Sequence, residues 1–196
     1  MKFKFFFLIT FIYITGTNYL LATSPEVFVQ STVNRASSIL SENLSKDMKM
    51  NKLKEIAKET VDIKGIGFYT LGAVRKTLND EEKKEYAILF EKYFLKSFSS
   101  RLAEYTNPEI DVLGKEVLNK NYTIVNSLLK GTNERPEIKI DWRIYTKNPS
   151  NPLIRDLIIE GLSLARTQKE EFNSVLQTND NNVTALFDTL RDFISK

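Results

Sequence analysis

Asp141, Asp156 and Glu160 are the side chains whose type and place could do acid–base chemistry in this chain. Two carboxylates can act as general acid and base when they are held across a cleft. These three fall in stretches where apolar and polar residues alternate, a strand pattern, so they could face one. No spacing pairs them, and the plainer reading is solvated charge on strand faces. Other chemistry is closed off by composition, because the 196 residues include no Cys and no His. That removes thiolate nucleophiles, Ser-His-Asp and Cys-His machinery, disulfides, lipid anchoring through cysteine, and zinc sites built on sulfur or imidazole. Only carboxylates, Lys, Tyr and Arg remain as catalysts. Gly65, Gly67 and Gly72 do not make a phosphate loop: they follow no apolar strand and lead to no Gly-Lys-Ser/Thr ending. No cofactor is expected and no metal.

The stronger signal is apolar. Tyr86, Leu89, Phe90, Tyr93, Phe94, Phe98, Leu102 and Tyr105 recur at helical spacing and are mostly aromatic. Ile138, Ile140, Trp142 and Ile144 alternate with Lys139, Asp141 and Arg143, the pattern of a strand with one buried face. A filled core and a lined apolar pocket use the same residue types, so the pattern leaves both open.

The elements that must position these groups are legible along the chain. Ser24-Pro25-Glu26 is a helix start, with Ser as cap, Pro at the first helical position and an acid against the dipole. Val29, Val33, Ala36, Leu40 and Leu44 continue it. A short helix is expected over 53–58, and a third over 61–74, loosened by its glycines. Asn79 and Glu82 form a capping box for a long helix over 80–105. From residue 109 the period changes to two. Strands are expected at 110–112, 122–129, 137–145 and 153–160, then helices at 164–177 and 181–195. Short connections between strands make the sheet antiparallel. The class is α+β, with helices gathered against one face of an antiparallel sheet.

The N-terminus reads as a signal peptide over residues 1–22. Lys2 and Lys4 precede an apolar run over 5–14, shorter than the ~20 residues that span a bilayer, and cleavage is expected after Ala22. An uncleaved anchor would have to draw on residues 5–21 and tolerate Asn18. On either reading the domain over 23–196 lies outside the cytoplasm. The net charge is +3; without Lys2 and Lys4 it falls to +1, so nothing general draws the domain to nucleic acid.

Four ordered stretches resemble one family. They are Val61-Asp62 followed by Leu71-Gly72; the helix from Asn79-Asp80-Glu81-Glu82 through Phe90 and Phe94 to Leu102 and Tyr105; Trp142-Arg143; and Asp156-Leu157-Ile158-Ile159-Glu160-Gly161-Leu162-Ser163-Leu164 followed by Phe172. Their order and spacing are similar to those of the MlaC, or toluene-tolerance, family of periplasmic phospholipid-binding proteins, over roughly residues 25–195. Three positions depart from the family pattern: Pro152 stands where Trp is usual, Phe98 where Tyr is usual, and Leu162 where Val is usual. The connection over 146–152 is also redrawn. These departures bear on pocket shape and lipid preference.

The resemblance implies a curved antiparallel sheet with helices packed around it, an NTF2/cystatin-like cone enclosing an apolar lipid cavity. It implies a monomeric carrier, with the periplasm as its place, phospholipid as cargo and no catalysis. Its partners would be an inner-membrane ABC transporter with an MCE-domain subunit (MlaD-like) and an outer-membrane lipoprotein (MlaA-like), and its role would be outer-membrane lipid asymmetry. The lining expected on this reading is Phe90, Phe94 and Phe98 from the long helix, Phe68, Leu71 and Val74 from the preceding segment, and Ile140, Trp142, Ile144, Leu157, Ile159 and Leu162 from the strands. Two other readings stand beside it. One is a carboxylate enzyme acting on a small hydrophobic substrate in a similar cone. The other is a structural or chaperone-like protein with a filled core.

Overall fold

A computed structural model describes residues 23–133 and 135–196. The expected signal peptide lies outside the described residues. The elements are α1 (Pro25–Ser41), α2 (Lys46–Thr60), α3 (Ile63–Thr70), a 3-10 turn (Val74–Lys76), α4 (Asp80–Leu102), β1 (Ile110–Asn119), β2 (Tyr122–Leu129), β3 (Ile138–Tyr145), β4 (Leu153–Ile159), β5 (Leu162–Ser163), α5 (Leu164–Thr178) and α6 (Val183–Ser195). The architecture is α+β, as the residue pattern indicated.

Local chemistry sets the helix starts. Ser24 Oγ accepts from the Val27 amide at 3.4 Å, with Pro25 in the first turn. At α4 the Glu82 amide donates to Asn79 Oδ1 at 2.9 Å, and the Asn79 amide donates to the Glu82 carboxylate at 2.8 Å. Each partner satisfies an otherwise orphaned helix-end amide. The second helix is longer than the expected 53–58. It begins at Ser45, whose Oγ accepts from the Met48 amide at 3.3 Å. Its lysine-rich first turns bury nothing large, so periodicity marked only the second half, where Leu53, Ile56 and Ala57 are buried. The expected helix over 61–74 divides at Leu71-Gly72, where Gly72 takes φ +57, a left-handed conformation that favours glycine. The long helix ends at Leu102 and not Tyr105; the Ala103 amide turns back to Ser99 O.

The five strands form one antiparallel meander in the order β1-β2-β3-β4-β5. The first strand runs to Asn119, well past the expected Val112. It lies at the sheet's edge and carries register shifts at 112/114 and 117/119, which break the period of two. A third shift, between Arg143 and Ile144, leaves Arg155 as the extra residue of β4. Glu160 (φ +48) and Gly161 (φ +83) join β4 to β5 in a two-residue turn. Positive φ at both central positions is what a type I′ hairpin requires. The Asp-to-Ser signature thus encodes a tight hairpin that delivers Ser163 to the start of α5. At the other end of β4 from its pairing with β5, Val61 adds a parallel bridge to Ile154.

The register sorts the sheet into two faces, since cross-strand partners share one. Val125, Trp142 and Leu157 are aligned on one face, as are Thr123, Ile144 and Ile154. Residues of that face join residues from all six helices in one apolar cluster. Ile124, Arg143 and Asp156 are aligned on the other.

Candidate functional site

The interior is built from a largely aliphatic sheet surface around one Trp and an aromatic-rich helix surface. On the sheet, Trp142 is buried, and its indole N–H donates to Ser127 Oγ at 2.8 Å; that hydroxyl donates in turn to Ile140 O at 2.9 Å. The buried polar groups are therefore satisfied without a charge. On α4, Phe90 packs between Tyr86 (5.8 Å between ring centres), Phe94 (6.2 Å) and Phe172 of α5, which meets it edge-on at 6.2 Å. Phe94 and Phe98 stack at 5.5 Å with planes 10° apart. Tyr86 is fully buried; its hydroxyl donates to Gly67 O at 3.1 Å and shares a 2.8 Å hydrogen bond with Thr70. Burial pushes the Tyr86 phenol pKa well up, against the opposing pull of Thr70.

The expected lining residues come together unevenly. Leu71, Phe90, Ile140, Trp142 and Ile144 are buried members of the cluster, and Phe68, Val74, Phe94, Phe98 and Leu157 pack against it half-buried. Ile159 is half-buried near the β4–β5 turn. Leu162 is not with them: it pairs with Ile159 across the hairpin but is 52% exposed, on the two-residue edge strand β5. The gathered residues pack against one another as a contiguous interior. Two clefts stand out among the described residues, of about 370 and 270 Å³, and neither takes a wall from the twelve.

The larger cleft lies where α3 and the start of α5 meet the sheet. Ile66 and Tyr69 line it from α3, Leu118 and Tyr122 from the β1–β2 hairpin, Arg143, Arg155 and Asp156 from β3 and β4, and Ala165 from α5. Arg155 Nε donates to Asp62 Oδ2 at 2.6 Å, and its guanidinium lies 4.7 Å from the Tyr145 ring centre. Gly65 makes room for that pair: a β-carbon there would stand 2.7 Å from Arg155 Cζ and from Asp62 Cγ. The residues are 93 apart in sequence, and nothing in the local pattern signalled the contact.

The three carboxylates are held separately. Asp156, expected as solvated charge, is 4% exposed. It accepts from Ser163 Oγ at 2.6 Å and from the Ala165 amide at 3.0 Å, and so anchors the start of α5. Asp141 accepts from Asn126 Nδ2 at 2.9 Å. Glu160 accepts from the Lys139 amide at 2.5 Å. Each has a structural partner of its own. Among the described residues no group of three His, Cys, Asp or Glu could hold a metal ion, and no helix is long and apolar enough to cross a membrane.

An open meander sheet with helices around an apolar, aromatic interior defines an α+β protein. The family model described as MlaC protein matches residues 30–192, and the chain belongs to the MlaC family. Among solved structures it is similar to a phospholipid-binding protein from Ralstonia solanacearum, determined in complex with a phospholipid. The two share 17% identity, the match covers 87% of this chain and 96% of the other, and the TM-score is 0.72. At that identity the likeness establishes the fold.

Proposed function

We propose that this chain is a non-catalytic carrier that binds a phospholipid by its acyl chains and moves it through the periplasm. Membership of the MlaC family carries the reading. The phospholipid held by the Ralstonia solanacearum protein of the same fold supports it. The physics is simple: each CH₂ removed from water contributes roughly 0.8 kcal/mol, so a carrier needs an apolar interior and no reactive group. A chain without Cys or His, whose interior is aromatic and uncharged, meets that need.

The system in which such a carrier works has an inner-membrane ABC transporter with an MlaD-like subunit at one end and an MlaA-like lipoprotein at the other. Its purpose is outer-membrane lipid asymmetry. Residues 1–22, read as a signal peptide, would direct export. Native mass spectrometry of the protein purified from cells, with lipid extraction of the same sample, tests the carrier reading. A stoichiometric phospholipid adduct is expected. A protein that is empty, and stays empty after incubation with phospholipid vesicles, would refute it.

A further inference from the structure

The two arginines of the larger cleft are not equivalent. Arg155 is committed to Asp62 and to the Tyr145 ring. Arg143 has a 3.7 Å contact with Asp156, whose carboxylate already accepts from Ser163 and Ala165. Its Nε is buried and has no hydrogen-bond partner among the described residues. Its side chain is nonetheless 42% exposed, so part of the guanidinium opens to the cleft. A desolvated charged donor without an acceptor is costly, and a guanidinium fork matches the oxygens of a phosphate ester.

The cleft also touches the interior. Ile66 and Ala165 line it and are buried members of the apolar cluster, so its floor is the interior's wall. Tyr69 and Leu118, both nearly half-exposed, make its rim apolar. A cation over an apolar floor that leads inward suits an amphiphile with a phosphate at one end.

We infer that Arg143 receives a phosphate oxygen of the cargo lipid, whose acyl chains pass Ile66 and Ala165 into the interior. This rests on the carrier reading and adds to it a seat for the headgroup. Arg143 is a binding residue here, and Arg155 a fixed wall. The same chemistry could serve free phosphate, so the test separates the two sources.

Delipidated full-length protein is incubated with phosphatidylcholine vesicles containing equal parts of phosphatidylglycerol and of diacylglycerol with the same chains. Bound lipid is then quantified by mass spectrometry. The wild type should prefer the phosphate-bearing lipids over diacylglycerol by about tenfold or more, the worth of one charge-assisted hydrogen bond. Arg143→Gln should bring the preference close to unity while diacylglycerol uptake is unchanged. Arg143→Lys, which keeps the charge and loses the fork, should fall between. A circular dichroism spectrum of Arg143→Gln that matches the wild type shows that the fold is intact; its urea midpoint should fall, because buried Asp156 loses the cation beside it. A preference that survives Arg143→Gln overturns the inference. So does inorganic phosphate that binds the wild type by calorimetry, is lost in Arg143→Gln, and leaves lipid preference untouched. If the wild type takes up none of the lipids, the carrier reading has failed and this inference with it. Uptake without preference sinks the inference alone.

Discussion

Gly67 of α3 lies directly beneath the ring of Phe90 of α4: a β-carbon at position 67 would stand 2.7 Å from Phe90 Cδ1. The ring cannot yield, because Tyr86, Tyr93, Phe94 and Phe172 surround it. The glycine therefore sets how closely two helices approach, at a known cost in helix propensity. Gly67→Ala should gain about 1 kcal/mol of propensity and lose about 1–3 to overpacking. A lower urea midpoint in equilibrium unfolding is expected. A raised midpoint would mean that the ring has somewhere to go.

Asp156 contributes as an acceptor at the start of α5. In Asp156→Ala the Ala165 amide and the Ser163 hydroxyl both lose their acceptor in a buried setting. A loss of about 2–3 kcal/mol is expected, with faster hydrogen exchange at Ala165 and Arg166 than at mid-helix amides of α5. Asp156→Asn keeps an acceptor and should cost less. Equal exchange along all of α5 would show that the carboxylate does not anchor its start.

Tyr86 gives the fold an alkaline limit. Burial raises its pKa in the folded state, so the neutral phenol is the form the fold favours. Its contribution is then complete below the unfolded value of about 10 and is lost as the pH rises beyond it. Tyr93 shifts in the same direction, again through burial, with Glu171 adding to it. The difference between wild type and Tyr86→Phe isolates the first group. Wild-type stability should fall more steeply than that of Tyr86→Phe between about pH 10 and 11.5 in urea titrations. Parallel curves would contradict the assignment.

Phe94 offers the cleanest test of the interior as a lipid seat. It is half-buried and stacked on Phe98, so a charge there reaches solvent more easily than at buried Trp142. Phe94→Asp should stay folded by circular dichroism and lose its copurifying lipid, because an unpaired carboxylate is not tolerated beside acyl chains. A folded Phe94→Asp protein that keeps stoichiometric lipid would move the seat elsewhere.

What the residues announced, and what they did not, follows from range. Ser24-Pro25, Asn79 with Glu82, and Ile138 to Ile144 act within a few positions, and the elements they specify form where expected. Residues 46–52 of α2 bury nothing large, and β1 is an edge strand with broken register, so neither carried a period to read. Asp156 is the instructive case. On a strand it alternates like a solvent-facing charge, and only the return of the chain at Ser163 and Ala165 buries it. The Asp62–Arg155 pair and the cleft it flanks depend on the β4 bulge and on contacts across most of the chain. Of the twelve residues expected to line a pocket, ten lie in or against the apolar cluster, and Leu162, on the short edge strand β5, is exposed.

The broken register of β1 has one more consequence. Leu113, Val117 and Leu118 stand exposed on the outermost strand, a surface on which a second molecule could zip up strand to strand and grow into aggregate. Between the two irregularities only residues 114–117 keep an unbroken ladder, and Lys115 and Glu116 occupy its centre. An incoming chain finds a template four residues long with a charged middle, too short to hold it. Crowded copies of this protein are thus kept apart at that edge by the geometry of a single strand.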